Sequence, residues 1–136
     1  MSLVLDASAA LALAFRDGDP ALAERTEEGL AGGGAVVPQH WPLEVANGLL
    51  IALRRRRLSP VSADRARELL LALPVDVDQD TGQFAWSRTF GLAERFGLTV
   101  YDAAYLELAL RLDAPLATLD QALAQAAREA GARVIT

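Results

Sequence analysis

The chain contains no cysteine, and all thirteen of its basic residues are arginine, so it has no lysine either. Histidine occurs once, at His40. Each absence removes a class of chemistry. Without cysteine there is no disulfide, no thiolate nucleophile and no Cys-ligated zinc. Without lysine there is no Schiff base and no phosphate-binding P-loop lysine. A single histidine excludes multi-histidine metal sites. No apolar run approaches the ~18 residues of a membrane span, so neither a transmembrane helix nor a membrane partner is expected. The apolar-rich stretch Leu3–Phe15 is not preceded by the basic segment of a signal peptide, and Asp6 interrupts it. A soluble, cytoplasmic protein is the expectation.

What the chain does contain is 136 residues, 52% of them hydrophobic and 23% charged. That length supports one domain over residues 1–136 with a sizeable core. The net charge of −5 argues against a protein that coats nucleic acid by bulk charge. Chemistry is left to carboxylates, hydroxyls and arginine.

Short apolar runs alternate with helical ones. Leu3–Leu5, Ala35–Val37, Val75–Val77, Pro115–Thr118 and Arg133–Ile135 read as strands. The intervening segments read as helices: 7–15, 21–30, 42–57, 62–73, 81–96, 102–112 and 121–130. Pro20 suits a first helical position, the Gly32–Gly34 triplet a stop, Ser59-Pro60 a break and Gly97 a C-terminal stop. Five such strands separated by helices predict an α/β fold: an open five-stranded parallel sheet with helices on both faces.

In such a sheet, ligands bind beyond the carboxyl ends of the strands. That rule selects Asp6, directly after the first strand, and Asp120, just after the fourth. Asp102 follows the apolar Leu98-Thr99-Val100 and opens a helix. All three also suit helix N-caps, a role that leaves one carboxylate oxygen free. Glu44 shares a helical stripe with Trp41, Gly48 and Ile51, beside a second stripe of Leu43, Ala46, Leu50 and Leu53. On or beside a buried face, a glutamate needs an arginine partner or a metal. Asp17, Asp19, Asp76, Asp78 and Asp80 read as solvated turn or strand-end acids, and Glu107 points away from Asp102. Carboxylates that converge without lysine repel one another unless a cation sits among them. Oxygen-only donors suit Mg²⁺ or Mn²⁺, and a site of that kind activates water and supports displacement at phosphorus.

Four pieces of the chain, in order and at matching spacing, resemble PIN-domain ribonucleases of the VapC toxin type: Val4-Leu5-Asp6-Ala7-Ser8-Ala9, Glu44-Val45-Ala46-Asn47, Leu98–Leu106 with its Tyr101-Asp102-Ala103-Ala104-Tyr105 core, and Leu116-Ala117-Thr118-Leu119-Asp120. The resemblance covers the whole chain. It implies a PIN fold, a Mg²⁺- or Mn²⁺-dependent endoribonuclease that cuts single-stranded loops of tRNA or ribosomal RNA, and a cognate antitoxin. It also implies that Asp6, Glu44, Asp102 and Asp120 are catalytic metal ligands. Ser8 and Thr118 match hydroxyl positions that would orient water or phosphate, and Asn47 a supporting position one turn after the glutamate. Apolar surface at Leu49–Leu53 and Leu69–Leu73 suits a homodimer, as the family suggests.

Arg54-Arg55-Arg56-Arg57 ends the third helical segment. These residues suit either favourable charge at a helix C-terminus or contact with RNA or antitoxin. Arg54 and Arg55 are the candidates for contact, and Arg55 is the one expected to reach the rim of the site. His40 reads as a cap or packing residue. Two other functions compete. A non-catalytic module that binds antitoxin or RNA is disfavoured by the intact acidic set. An Asp-based phosphotransfer domain is disfavoured by the missing lysine and by Ser8, where a dehalogenase-like site has a second Asp.

Overall fold

The computed structural model describes residues 1–135. In chain order the elements are β1 (Leu3–Leu5), α1 (Ala7–Phe15), α2 (Pro20–Gly33), β2 (Ala35–Val37), α3 (Trp41–Arg54), α4 (Pro60–Ala72), β3 (Val75–Val77), α5 (Thr81–Phe84), a π-helical turn (Ala85–Thr89), α6 (Phe90–Phe96), α7 (Val100–Leu112), β4 (Leu116–Ala117), α8 (Gln121–Glu129) and β5 (Val134–Ile135). All five strands are parallel, in the order β3-β2-β1-β4-β5. The expected sheet is therefore present, with helices on both of its faces. Among the described residues no helix is long and apolar enough to cross a membrane.

The chain runs from β1 out to β2 and β3, then returns to place β4 on the other side of β1. The direction of winding reverses between β1 and β4, the point at which open parallel sheets bind ligands beyond the carboxyl ends of their strands. β1 is fully buried. Against it lies α7, whose Ala103–Ala109 segment is buried throughout, with Tyr105, Leu106 and Leu108 in the core. A helix buried on nearly every side needs small residues where it is crowded, and alanines fill those positions in α7.

Local chemistry sets the helix ends. Asp19 caps α2 with Pro20 at its first position, and the helix runs to Gly33, three residues beyond the Leu30 expected from the glycine triplet. Gly33 lies against Met1, where a β-carbon would come within 2.3 Å of the Met1 carbonyl oxygen. Within the triplet only Gly34 has a positive φ, at 72°. Ser59-Pro60 does not merely break the chain. The Ser59 hydroxyl accepts from the Ser62 amide at 3.1 Å and Pro60 opens α4.

Three expectations are corrected. The helix expected over 81–96 is interrupted by the π-helical turn. Asp102, expected to suit the cap of its helix, is not the cap: Thr99 caps α7 by accepting from the Asp102 amide at 3.1 Å. Asp102 is thus the third helical residue and not the cap, because a Thr three residues ahead of an acid takes the capping position. Finally, α3 ends at Arg54. Arg56 adopts a left-handed conformation (φ 57°) and Arg57 folds back to Asp17 at 3.4 Å, so the four arginines do not fan around one helix.

Candidate active site

Asp6 directly follows β1 beside β4 and caps α1. Its side chain is buried and accepts three hydrogen bonds: from the Ala9 amide (2.9 Å) and the Ser8 hydroxyl (2.7 Å) at Oδ1, and from the Thr118 hydroxyl at Oδ2. Burial nevertheless raises its pKa above the ordinary 3.8, opposed by these hydrogen bonds and helped by the negative charge of Asp102. The Ser8 oxygen also accepts from the Leu119 amide at 3.0 Å, and the Thr118 oxygen from the Asp120 amide at 3.0 Å. Both hydroxyl protons are committed to Asp6. The two residues tie the ends of β1 and β4 together, where sequence reasoning expected them to orient water or phosphate.

Asp120 caps α8, accepting from the Leu123 amide at 3.0 Å through Oδ1, and is exposed to solvent. Its other oxygen has no partner among the described residues. Asp102 is half-buried on the first turn of α7. Its carboxyl is held above the ordinary 3.8, first by burial, then by the charges of Asp120 and Glu44, with Thr99 and His40 acting in the opposite sense.

Glu44 lies in the first turns of α3, on the flank of the buried stripe Trp41, Val45, Leu49 and Ala52. The stripe expected at Leu43, Ala46, Leu50 and Leu53 largely faces outward, with Leu43 77% exposed. Glu44 is held from two sides. The Tyr105 hydroxyl donates to Oε1 at 2.7 Å, and His40 Nε2 lies 3.1 Å from the same oxygen. His40 foremost and Tyr105 next keep the Glu44 carboxyl below its ordinary 4.5, against the effect of burial. Of the two expected alternatives for Glu44, an arginine partner or a metal, the arginine is not found among the described residues. His40 and Tyr105 take that place, and His40 makes no side-chain cap at the start of α3.

The fold thus brings Asp6, Glu44, Asp102 and Asp120 to one end of the sheet, close enough for their charges to act on one another. Among the described residues none is salt-bridged to arginine. Asn47 is exposed, one turn beyond Glu44. Arg54 lies about 15 Å from Glu44 along α3 at the ~1.5 Å rise of a helix, so the arginine cluster is at the far end of that helix and not at this rim. Asp78, expected to be a solvated acid, is instead paired, and Glu107 is buried beside it. Arg111 grips Asp78 at 2.7 and 3.0 Å and Glu107 at 2.9–3.2 Å, and its guanidinium lies over the Phe84 ring. Among the described residues that triad makes no hydrogen bond or ion pair to the four acids.

Oxygen donors that repel one another, with no lysine or arginine between them, fit a hard divalent cation. Among the described residues no three acidic or histidine side chains are gathered tightly enough to enclose an ion.

Comparison with known proteins agrees with the fold. The PIN domain family model matches residues 3–129. Ribonuclease VapC3 of Pyrobaculum aerophilum is 33% identical over 129 residues, covering 92% of this chain and 94% of that protein. The crystal structure of PAE2754 from Pyrobaculum aerophilum shares the fold with a TM-score of 0.69 at 23% identity, covering 99% of this chain and 91% of that one.

Proposed function

Because the chain belongs to the PIN domain family, we propose that it is a Mg²⁺- or Mn²⁺-dependent endoribonuclease that hydrolyses RNA phosphodiester bonds, the toxin of a toxin–antitoxin pair. The observation that carries this reading is the electrostatic state of Asp102. Its carboxyl is raised first by burial and then by two neighbouring acids, and among the described residues no arginine is paired with any of the three. Such a cluster costs stability unless a cation is bound, and evolution tolerates that cost at functional sites. Residues 1–136 are read as a single PIN domain, working in the cytoplasm on RNA and restrained by an antitoxin.

When bound, the cation supplies positive charge at the scissile phosphate and lowers the pKa of water toward neutrality. Asp6, Glu44 and Asp102 would hold it directly or through water, with Asp120 completing the cage or holding a second ion. Ser8, Thr118 and the Ala9 amide fix Asp6 against rotation. Asp120 is fixed by its cap bond with Oδ2 left to the site. Asn47, one turn beyond Glu44, is a supporting residue on the same side of α3. Exposed Arg54 and Arg55, at the other end of α3, suit the carboxylates of an antitoxin better than RNA at the metal.

A homodimer through α3 and α4 belongs to the same proposal. Between these helices runs a groove of about 360 Å³ lined by Trp41, Val45, Leu50, Leu53, Leu70 and Leu71. Leu71 is 80% exposed, and the Trp41 indole N–H is buried there without an acceptor among the described residues.

The nuclease reading is tested with Asp6→Asn and Asp102→Asn on a mixed RNA pool, with folding checked by circular dichroism. Each variant is expected to lose at least about a hundredfold in cleavage rate while keeping its helical signal, since electrostatic stabilisation of this kind contributes about 10²–10³. Cleavage at the wild-type rate by both folded variants contradicts it.

A further inference from the structure

Glu44 differs from Asp6 and Asp120 in how it is held. Those two cap helices and are fixed by backbone amides. Glu44 reaches its position on a longer side chain, whose rotamer freedom costs up to about 2 kcal/mol to freeze. Two side chains meet it at a single atom. The Tyr105 hydroxyl (2.7 Å) and His40 Nε2 (3.1 Å) both approach Oε1, and Oε2 has no partner among the described residues.

The chemistry of the two partners fixes the direction of each bond. His40 Nε2 also lies 3.1 Å from the Tyr101 carbonyl oxygen. Between an ionised carboxylate and a carbonyl, both acceptors, Nε2 has to carry the proton. The Tyr105 ring is buried and meets the His40 ring edge-on at a centroid distance of 5.2 Å, so neither ring is free to turn away. Tyr105 sits one helical turn beyond Asp102 on α7. The helix that carries one acid therefore also supplies the hydroxyl that aims another, and His40 joins α3 to α7 through Glu44 on one side and Tyr101 on the other.

We propose that Tyr105 and His40 are positioning residues that together pin Oε1 of Glu44 and thereby present Oε2 to the divalent cation. This rests on the metal-dependent nuclease reading and extends it to two residues outside the acidic quartet. Neither residue touches RNA or the ion, and both act through Glu44. Partners of metal ligands that are lost in this way typically cost about 10–100-fold in metal affinity or activity.

The test compares wild type, Tyr105→Phe, His40→Leu and His40→Gln. Mn²⁺ binding to metal-free protein is measured by calorimetry, and RNA cleavage is resolved into kcat and KM. Tyr105→Phe and His40→Leu are expected to weaken Mn²⁺ binding about tenfold and to lower kcat, with KM for RNA within about twofold. His40→Gln keeps an N–H donor and is expected to stay within about threefold of wild type. A merely structural role would lower the melting temperature yet leave Mn²⁺ affinity at its wild-type value in the folded variants. That result overturns the proposal, and His40→Leu decides it alone if Tyr105→Phe does not fold. If wild type binds Mn²⁺ and cleaves RNA while the folded variants equal it, this inference fails and the nuclease reading stands. Wild type that binds no Mn²⁺ overturns both.

Discussion

Asp102 carries the clearest residue-scale consequence of the site. In the folded chain it holds its proton more tightly than in the unfolded chain, because burial and the charges of Asp120 and Glu44 disfavour its ionised form. Between the ordinary value of 3.8 and the higher native value, the folded state therefore binds more protons than the unfolded state, and stability falls as pH rises through that window. At neutral pH the penalty is complete. Metal-free Asp102→Asn is expected to melt a few degrees above metal-free wild type at pH 7, with the gain shrinking as the pH is lowered toward 4. Melting curves in chelator across that range check this, and an Asp102→Asn variant less stable than wild type at pH 7 would count against the mutual repulsion. Asp6, Asp102 and Asp120 were legible as residues because each follows a short apolar run at the carboxyl end of the sheet or at a helix start. Tyr105 was not singled out, although its position three residues after Asp102 places both on one helical face. A tyrosine in an apolar helix resembles any core aromatic until its hydroxyl is seen to have a partner.

At the scale of elements, the strands were readable because Val, Leu and Ala runs are bounded by Gly and Pro: Gly34 before β2, Pro74 before β3 and Pro115 before β4. Helix starts were harder wherever two residues could serve as cap. Thr99 and Asp102 are both good caps, and the Thr-x-x-Asp spacing decides for Thr99. The π-helical turn at Ala85–Thr89 left no periodic signal of its own. On α3 apolar side chains surround most of the helix, so periodicity alone did not separate the buried Trp41–Ala52 stripe from the outward Leu43 and Leu50. The exposed stripe and α4 form the face proposed for the homodimer. Leu71→Glu puts a charge at its centre, where desolvation without a partner is costly. Light scattering is expected to find the wild type at twice the chain mass and Leu71→Glu at the chain mass, with circular dichroism unchanged. A monomeric wild type would exclude this interface.

Over the whole molecule, the sequence implied a parallel sheet without specifying its strand order, since pairing across the chain depends on how the helices fill both faces. The order β3-β2-β1-β4-β5 puts β1 and β4 side by side at the point where the winding reverses. Asp6 and Asp120 emerge there as neighbours, locked together by Ser8 and Thr118, while α3 and α7 deliver Glu44 and Asp102 to the same end. The arrangement also reconciles a net charge of −5 with an RNA substrate. A chain this acidic gains little from bulk attraction to phosphate, so under the proposed function affinity at the scissile bond comes from a cation held by the acids. The most direct measurement follows from that dependence. Purified wild type is stripped with excess chelator, incubated with a labelled mixed RNA pool, and then given Mg²⁺ or Mn²⁺ in excess of the chelator. The account predicts no cleavage in chelator and internal cleavage restored on addition of either ion. Cleavage that proceeds undiminished in excess chelator, or that is absent with both ions present, would contradict it.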